Sequence, residues 1–279
     1  MKLRIRHVST FAFDAPVKRL VQSHRLSPTD TASQRIMAWN VDTGPASIGA
    51  AFRDGAGDWT QTVSLRGPLE TFTVTVEGEV ETQDQSGVLR GHREHVPPSA
   101  YLTSTRRTAL TAELRGLAAE ASEGTAPGRS LDRAHALCRA VHDAVAYVPG
   151  STEAATTASE ALEGGRGVCQ DHAQVLIALA HACEIPARYV AGYLMSTEDS
   201  VGAEASHAWA ELHVDGLGWV GFDAANACCP DARYVRLCSG YDAADGAPIR
   251  GVIDGAAEES LDVSVAVLRD GQSQSQSQG

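Results

Sequence analysis

The sequence predicts an α+β protein in two parts: an all-β region of sandwich or barrel type, then helices packed on an antiparallel sheet. Three observations carry this. Apolar and polar residues alternate through the first third of the chain, between turn signals. From Glu94 to Tyr101 the composition changes at the pair Pro97-Pro98, and helical spacing takes over. Short alternating runs then return. The β-rich part is expected at 1–95 and the second part at 96–268, with the last strand free to return to the first part. A tail occupies 269–279.

In the first part, Leu3 and Ile5 alternate with Lys2, Arg4 and Arg6, and Thr10 to Phe13 continues the pattern. Ser23 to Pro28 reads as a strand running into a turn. Gln34 to Asp42 places Ile36, Ala38 and Asn40 on one face. Gly44-Pro45 and Asp54-Gly55 mark turns. Glu70 to Val80 sets Phe72, Val74 and Val76 against Thr71, Thr73 and Thr75.

In the second part, Thr111 to Ser122 carries Leu114, Leu117, Ala118 and Ala121 at helical spacing. Ser130 to Val145 does the same with Leu131, Ala134, Leu137, Cys138, Val141 and Val145. Thr157-Ala158-Ser159-Glu160 has the form of a capping box for a short helix that Gly164 ends. Ala173 to Cys183 is apolar on nearly all sides, so it reads as a helix buried in a core. Strands are expected at Ala187 to Leu194, Ser206 to Val214, Trp219 to Asp223, Tyr234 to Ser239 and Ser260 to Leu268. The polar repeat QSQSQSQG at the end is expected to be disordered.

Composition excludes several functions. Acidic residues outnumber basic ones, 35 to 23, for a net charge of −12. That balance argues against a nucleic-acid partner and against an anionic membrane surface. No run reaches about 18 apolar residues, so no membrane span is expected. The N-terminus alternates like a strand and lacks the apolar centre of an export signal, which points to the cytoplasm. The six cysteines include no CxxC pair, so neither a zinc ribbon nor a dithiol redox motif is supported, and no metal or cofactor is expected. Adjacent Cys228 and Cys229 read as packing residues.

One cysteine is different. Cys169 follows the glycine-rich loop around Arg166 and opens the buried helix. A helix N-terminus carries partial positive charge, which favours thiolate over thiol. A thiol nucleophile needs a base, and the base needs a third group to hold its tautomer. His207, in Ser206-His207-Ala208-Trp209, and Asp223, at the end of the following strand, supply both. Their side chains share a face only if the connecting loop has an odd number of residues. A three-residue loop at Asp215-Gly216-Leu217 would pair Val214 with Gly218 and set Asp223 diagonal to His207.

The motifs Gly167-Val168-Cys169-Gln170-Asp171, Ile185-Pro186-Ala187-Arg188-Tyr189-Val190, Gly192-Tyr193, Ser206-His207-Ala208-Trp209, Gly218-Trp219 and Phe222-Asp223 together resemble the bacterial transglutaminase-like superfamily. Ser23-His24-Arg25-Leu26-Ser27-Pro28 resembles the β-rich domain that precedes the core in one branch of that family. The resemblance implies a papain-like core with Cys169 as nucleophile, His207 as base and Asp223 as orienting acid. The chain departs from the family pattern in having Ala224 where relatives often carry proline. It has Val168 where some carry an oxyanion-forming residue before the cysteine. The Cys169 N–H is a natural first oxyanion donor; Tyr147, Gln170 or another group is the second.

Other residues read as follows. Asp171 compensates the helix dipole. Arg188 is a structural ion-pair partner, and Trp209 and Trp219 are core aromatics, with lining the cleft as the alternative for Trp209. His172 and His181, on the cysteine helix, have packing or surface roles, with reaching the cleft as the alternative for His172; His135 and His142 are structural, and His92 and His95 lack partners. Arg166 either binds a substrate carboxylate or caps its loop. The preferred function is cysteine-dependent acyl transfer on a peptide or amide substrate, hydrolytic rather than cross-linking because water needs no second binding site. The rivals are a non-catalytic binding or scaffold protein, against which the intact Cys169, His207 and Asp223 count, and a thiol redox or metal protein.

Overall fold

The computed structural model describes residues 1–126, 128–195 and 205–269, so most of the expected tail, 270–279, lies outside the described residues. The chain begins with β1 (Lys2–Ser27), β2 (Gln34–Asp42), β3 (Ser47–Arg53) and β4 (Trp59–Thr82). Instead of many short strands, two long ones organise this part. β1 and β4 pair antiparallel from Lys2 opposite Glu81 to Ser27 opposite Trp59. Their register shifts between Ala12 and Val17, between Val17 and Arg19, and between His24 and Ser27. Such bulges bend a strand and sharpen its twist. Phe11, Phe13, Val17, Leu20, Val63, Leu65, Phe72 and Val74 thereby gather into one apolar cluster. β3 is exposed along its whole length, so it has no buried face and no apolar period to read.

The segment from Pro98 to Leu102 is a short 3-10 turn. Then come α1 (Ala112–Ser122), α2 (Ser130–Ala144), β5 (Ala146–Tyr147), α3 (Ala158–Gly164), β6 (Arg166–Gly167) and α4 (Cys169–Ala182). The Thr111 side chain caps α1 by accepting from the Leu114 N–H, and Thr157 and Glu160 form the expected capping box on α3. Gly165, one residue beyond the expected glycine, takes the left-handed conformation that closes α3. α4 is buried from Asp171 to His181, so apolar residues all round it meet protein and not water. Each of Val175, Leu176, Ile177 and Leu179 is fully buried there, worth about 1.5–3 kcal/mol apiece.

β7 (Ala187–Leu194), β8 (Ser206–Val214), β9 (Gly218–Phe222) and β10 (Tyr234–Gly240) follow and form an antiparallel sheet in the order β10-β7-β8-β9. One face of this sheet, with Tyr189, Ala191, Ala208, Ala210 and Leu212, shares a core with α4. The first part of the chain covers the other face. Leu89 N donates to Trp219 O (2.9 Å) and Gly221 N to Gly87 O (2.8 Å), so the segment after β4 lines the open side of β9. The last strands, β11 (Ile249–Asp254) and β12 (Glu259–Arg269), both pair with β1.

Between the two sheets lies a buried ion network. The Arg188 Nε donates to Glu211 (2.7 Å), and its Nη1 pairs with Glu94. Arg236 donates to Glu211 (2.9 Å) and to Asp58 (2.8 Å). Asp58 also accepts from the Ser239 N–H and hydroxyl. The Arg188 guanidinium lies 4.1 Å from the centre of the Trp219 ring, and its Nη2 has no hydrogen-bond partner among the described residues. Arg188 is thus the ion-pair residue the sequence suggests, and Trp219 is more than a core aromatic. His92 does have a partner, the Ala56 carbonyl at 2.6 Å, because the loop before β4 folds back against it.

Burial works against the Glu211 charge, but the two guanidiniums outweigh it and hold the carboxyl at about 2, down from 4.5. A depressed carboxylate contributes stability that is complete above its ordinary value and lost as pH falls through the folded one. Thermal midpoints should therefore drop between about pH 4.5 and pH 2. Glu211→Gln should flatten that slope, and an unchanged slope in the variant would remove Glu211 as its source.

Candidate active site

The sequence segment from Gly164 folds into a loop that delivers Cys169 to the first position of α4. Two contacts fix that loop. Asp171, fully buried, accepts from the Val168 N–H (2.8 Å) and the Thr152 hydroxyl (2.6 Å). It therefore caps the helix as well as compensating its dipole. Gly167 lies against this carboxylate: a Cβ there would sit 2.7 Å from the Asp171 Cβ. Only glycine fits that approach. The Cys169 N–H, first in the helix, has no intrahelical acceptor. Cys169 as a whole is half-buried.

The hairpin between β8 and β9 brings in the other two residues. Val214 pairs with Gly218 across Asp215, Gly216 and Leu217, the odd loop expected from the sequence. Gly216 and Gly218, with φ +76° and +80°, take the left-handed values that turn the chain there. Ala210 pairs with Phe222, which puts Asp223 diagonal to His207 on one face. The His207 Nε2 meets the Asp223 Oδ2 at 2.6 Å. Cys169 lies close enough to His207 for its sulfur to favour the charged imidazole. The structure thus brings Cys169, His207 and Asp223 together.

Burial works against charge on His207. The Asp223 carboxylate, its hydrogen bond and the Cys169 sulfur outweigh that and push the imidazole up to about 10. Burial also opposes charge on Asp223, but His207, Asn226 and Tyr234 hold its carboxyl below the usual range. The arrangement favours an imidazolium between two sulfur and oxygen partners that gain from negative charge.

Two residues at the site were not foreseen in the sequence. Asn226 Nδ2 donates to the Asp223 Oδ2 (2.7 Å), and the Tyr234 hydroxyl donates to the same oxygen (2.8 Å). Asp223 Oδ1 accepts from the Ala225 and Asn226 N–H groups. The run Asp223-Ala224-Ala225-Asn226 is an aspartate-led turn and could have signalled the second pair. Nothing in the chain marks Tyr234, which opens an apolar strand like any other.

The remaining candidates fall elsewhere. His172 points both ring nitrogens at backbone carbonyls, Val168 O and Val145 O. His181 is bonded to Tyr101 O, and His142 to Ala224 O. His135 packs its ring on Phe222. Gln170 turns its amide to the Ala154 carbonyl (3.4 Å), and Tyr147 lies with its ring near His172. Trp209 packs edge-on against Tyr234 in the core.

A buried helix headed by cysteine, packed on an antiparallel sheet that carries an adjacent histidine and aspartate, defines the class of papain-like thiol folds. Comparison narrows the class to a family. Residues 115–224 match the transglutaminase-like superfamily, and residues 3–81 match the bacterial transglutaminase-like N-terminal region, together more than half of the chain. The chain belongs to the transglutaminase-like superfamily. An uncharacterized protein of Mycobacterium leprae is 27% identical over 96% of this chain and 99% of its own length. One of Mycobacterium tuberculosis is 28% identical over 96% and 92%. A crystal structure of a "Putative Cysteine Protease" from Cytophaga hutchinsonii is similar with a TM-score of 0.73 and 24% identity, over 98% of this chain and 92% of that one. The fold is therefore shared along nearly the whole chain. No described helix is long and apolar enough to cross a membrane.

Proposed function

We propose that the protein is a cysteine-dependent acyl-transfer enzyme that cleaves peptide or amide bonds. The observation that carries this reading is the grouping of Asp223, His207 and Cys169, with Cys169 half-buried and the imidazole held in its charged form by a buried carboxylate. The Cys169 thiolate adds to the carbonyl carbon, and the oxyanion is received by the Cys169 N–H at the helix start. The C–N bond then breaks as His207 gives its proton to the leaving amine, leaving a thioester on Cys169. Water, deprotonated by His207, hydrolyses the thioester and restores the thiolate. An amine in place of water would cross-link instead; hydrolysis is preferred because it needs no second binding site. The cysteine-protease description of the Cytophaga hutchinsonii structure supports this reading. Six free thiols support work in a reducing compartment, the cytoplasm.

Trapping tests it. Incubation with a mixed peptide pool followed by acid quench should leave an acyl adduct on Cys169, read by mass, and Cys169→Ala should carry none. A pool that is cleaved equally by the Cys169→Ala variant would sink the proposal.

A further inference from the structure

We propose that Tyr234 is a positioning residue of this site, acting on His207 through the Asp223 carboxylate. The inference rests on the nucleophile reading above and extends it beyond the three residues. Asp223 is the last residue before a tight loop, and its backbone bonds back to Cys228 in both directions. Its Oδ2 carries three contacts: His207 Nε2, Asn226 Nδ2 and the Tyr234 hydroxyl. Tyr234 stands on a different strand, β10, on the far side of β7 from His207. Its hydroxyl therefore fixes the carboxylate from outside the loop that bears it.

The ring and the hydroxyl of Tyr234 do separable work. The ring packs edge-on against Trp209 (5.6 Å between centroids) and against His207 (6.0 Å). Phenylalanine would keep both contacts. The hydroxyl alone reaches Asp223, and it also touches the Cys228 sulfur at 3.4 Å. A buried donor aimed at a carboxylate favours the ionised acid.

The charged and titratable groups facing Asp223 are few. His207 comes from β8, Tyr234 from β10, Cys228 from the loop, and Cys138 from α2. Burial, with the Asp223 charge, holds Tyr234 and Cys138 far above their ordinary values. Burial raises Cys228 as well. None of the three adds negative charge near neutral pH. His207 is the cation bonded to Asp223, Arg233 lies 6.0 Å from the Tyr234 ring on β10, and Tyr234 stays a donor near neutral pH.

The test is the pH profile of iodoacetamide alkylation at Cys169, mapped by mass so that the other thiols are counted apart. In the unaltered protein the profile should have an acid limb, where Asp223 takes up its proton, and an alkaline limb, where His207 loses its own. Tyr234→Phe should move the acid limb upward by about one pH unit, since a hydrogen bond to a charged group is lost. The alkaline limb should stay in place, because the Asp223 charge remains. Asp223→Asn, by contrast, should lower the alkaline limb. A thermal midpoint confirms that the Tyr234→Phe variant is folded. A second variant, Asn226→Ala, removes the other neutral donor on the same oxygen and should move the acid limb the same way. A reactive Cys169 whose profile neither variant moves overturns this inference and leaves the nucleophile reading intact. A Cys169 no more reactive than the other thiols in the unaltered protein overturns both.

Discussion

Replacing His207 with alanine should slow both acyl-adduct formation and alkylation at Cys169 by about 10²–10⁴-fold at neutral pH, the range removed with a positioned acid–base group. Three other histidines are already engaged. His172, on the same helix as Cys169, has both ring nitrogens on backbone carbonyls, and His142 and His181 are bonded to carbonyls of their own. The loss should also depend on pH in a definite direction. The His207 pKa is raised from 6.5 to about 10, so the imidazolium persists through neutrality and reactivity should fall only as pH rises toward about 10. The same charge stabilises the fold fully below 6.5, and that contribution fades as pH rises through about 10. In His207→Ala both features should vanish together. Rapid, selective alkylation of Cys169 in that variant would remove His207 from the chemistry.

Replacing Arg236 with alanine should cost about 3–5 kcal/mol of stability, the range for breaking one partner out of a buried ion pair. Arg236 bridges Glu211 of the core sheet and Asp58 of the first part, and both carboxylates are almost wholly enclosed. Without it, Asp58 keeps, among the described residues, the Ser239 N–H and hydroxyl. Glu211 keeps Arg188. An uncompensated charge stays buried, and that is the source of the loss. Urea unfolding should show it as a lower midpoint, with a fall in melting temperature of roughly 10 °C. Asp58→Asn combined with Arg236→Met removes both charges and should recover part of the loss. A double variant as unstable as Arg236→Ala would place the stability in packing and not in the ion pair.

Much of the site was readable along the chain because local chemistry marks it. Cys169 stands out by heading an apolar run, and the odd loop at Asp215-Gly216-Leu217 sets the relative facing of His207 and Asp223 through the two-residue period of strands. The capping box at Thr157 and Glu160 is local in the same sense. What could not be read is what depends on partners distant in sequence. β1 and β4 look like separate short strands because their bulges interrupt the alternation, and β3 has no buried face to generate one. β11 pairs with β1 from the other end of the chain, where a run such as Val252, 70% exposed, gives no apolar period. Tyr234 and Asn226 meet Asp223 through hydrogen bonds that leave no trace in hydropathy.

Periodicity and turn chemistry, which act over a few residues, were enough to determine the α+β class, the cysteine at the head of a buried helix and the shared face of histidine and aspartate. Only the tertiary structure decided how the carboxylate is held, which charges the two sheets bury between them, and where the C-terminal strands pair. The physical reason is range. A strand or helix pattern reports which side of an element meets apolar matter, whereas hydrogen bonds and ion pairs between remote segments exist only once packing has excluded water from around them.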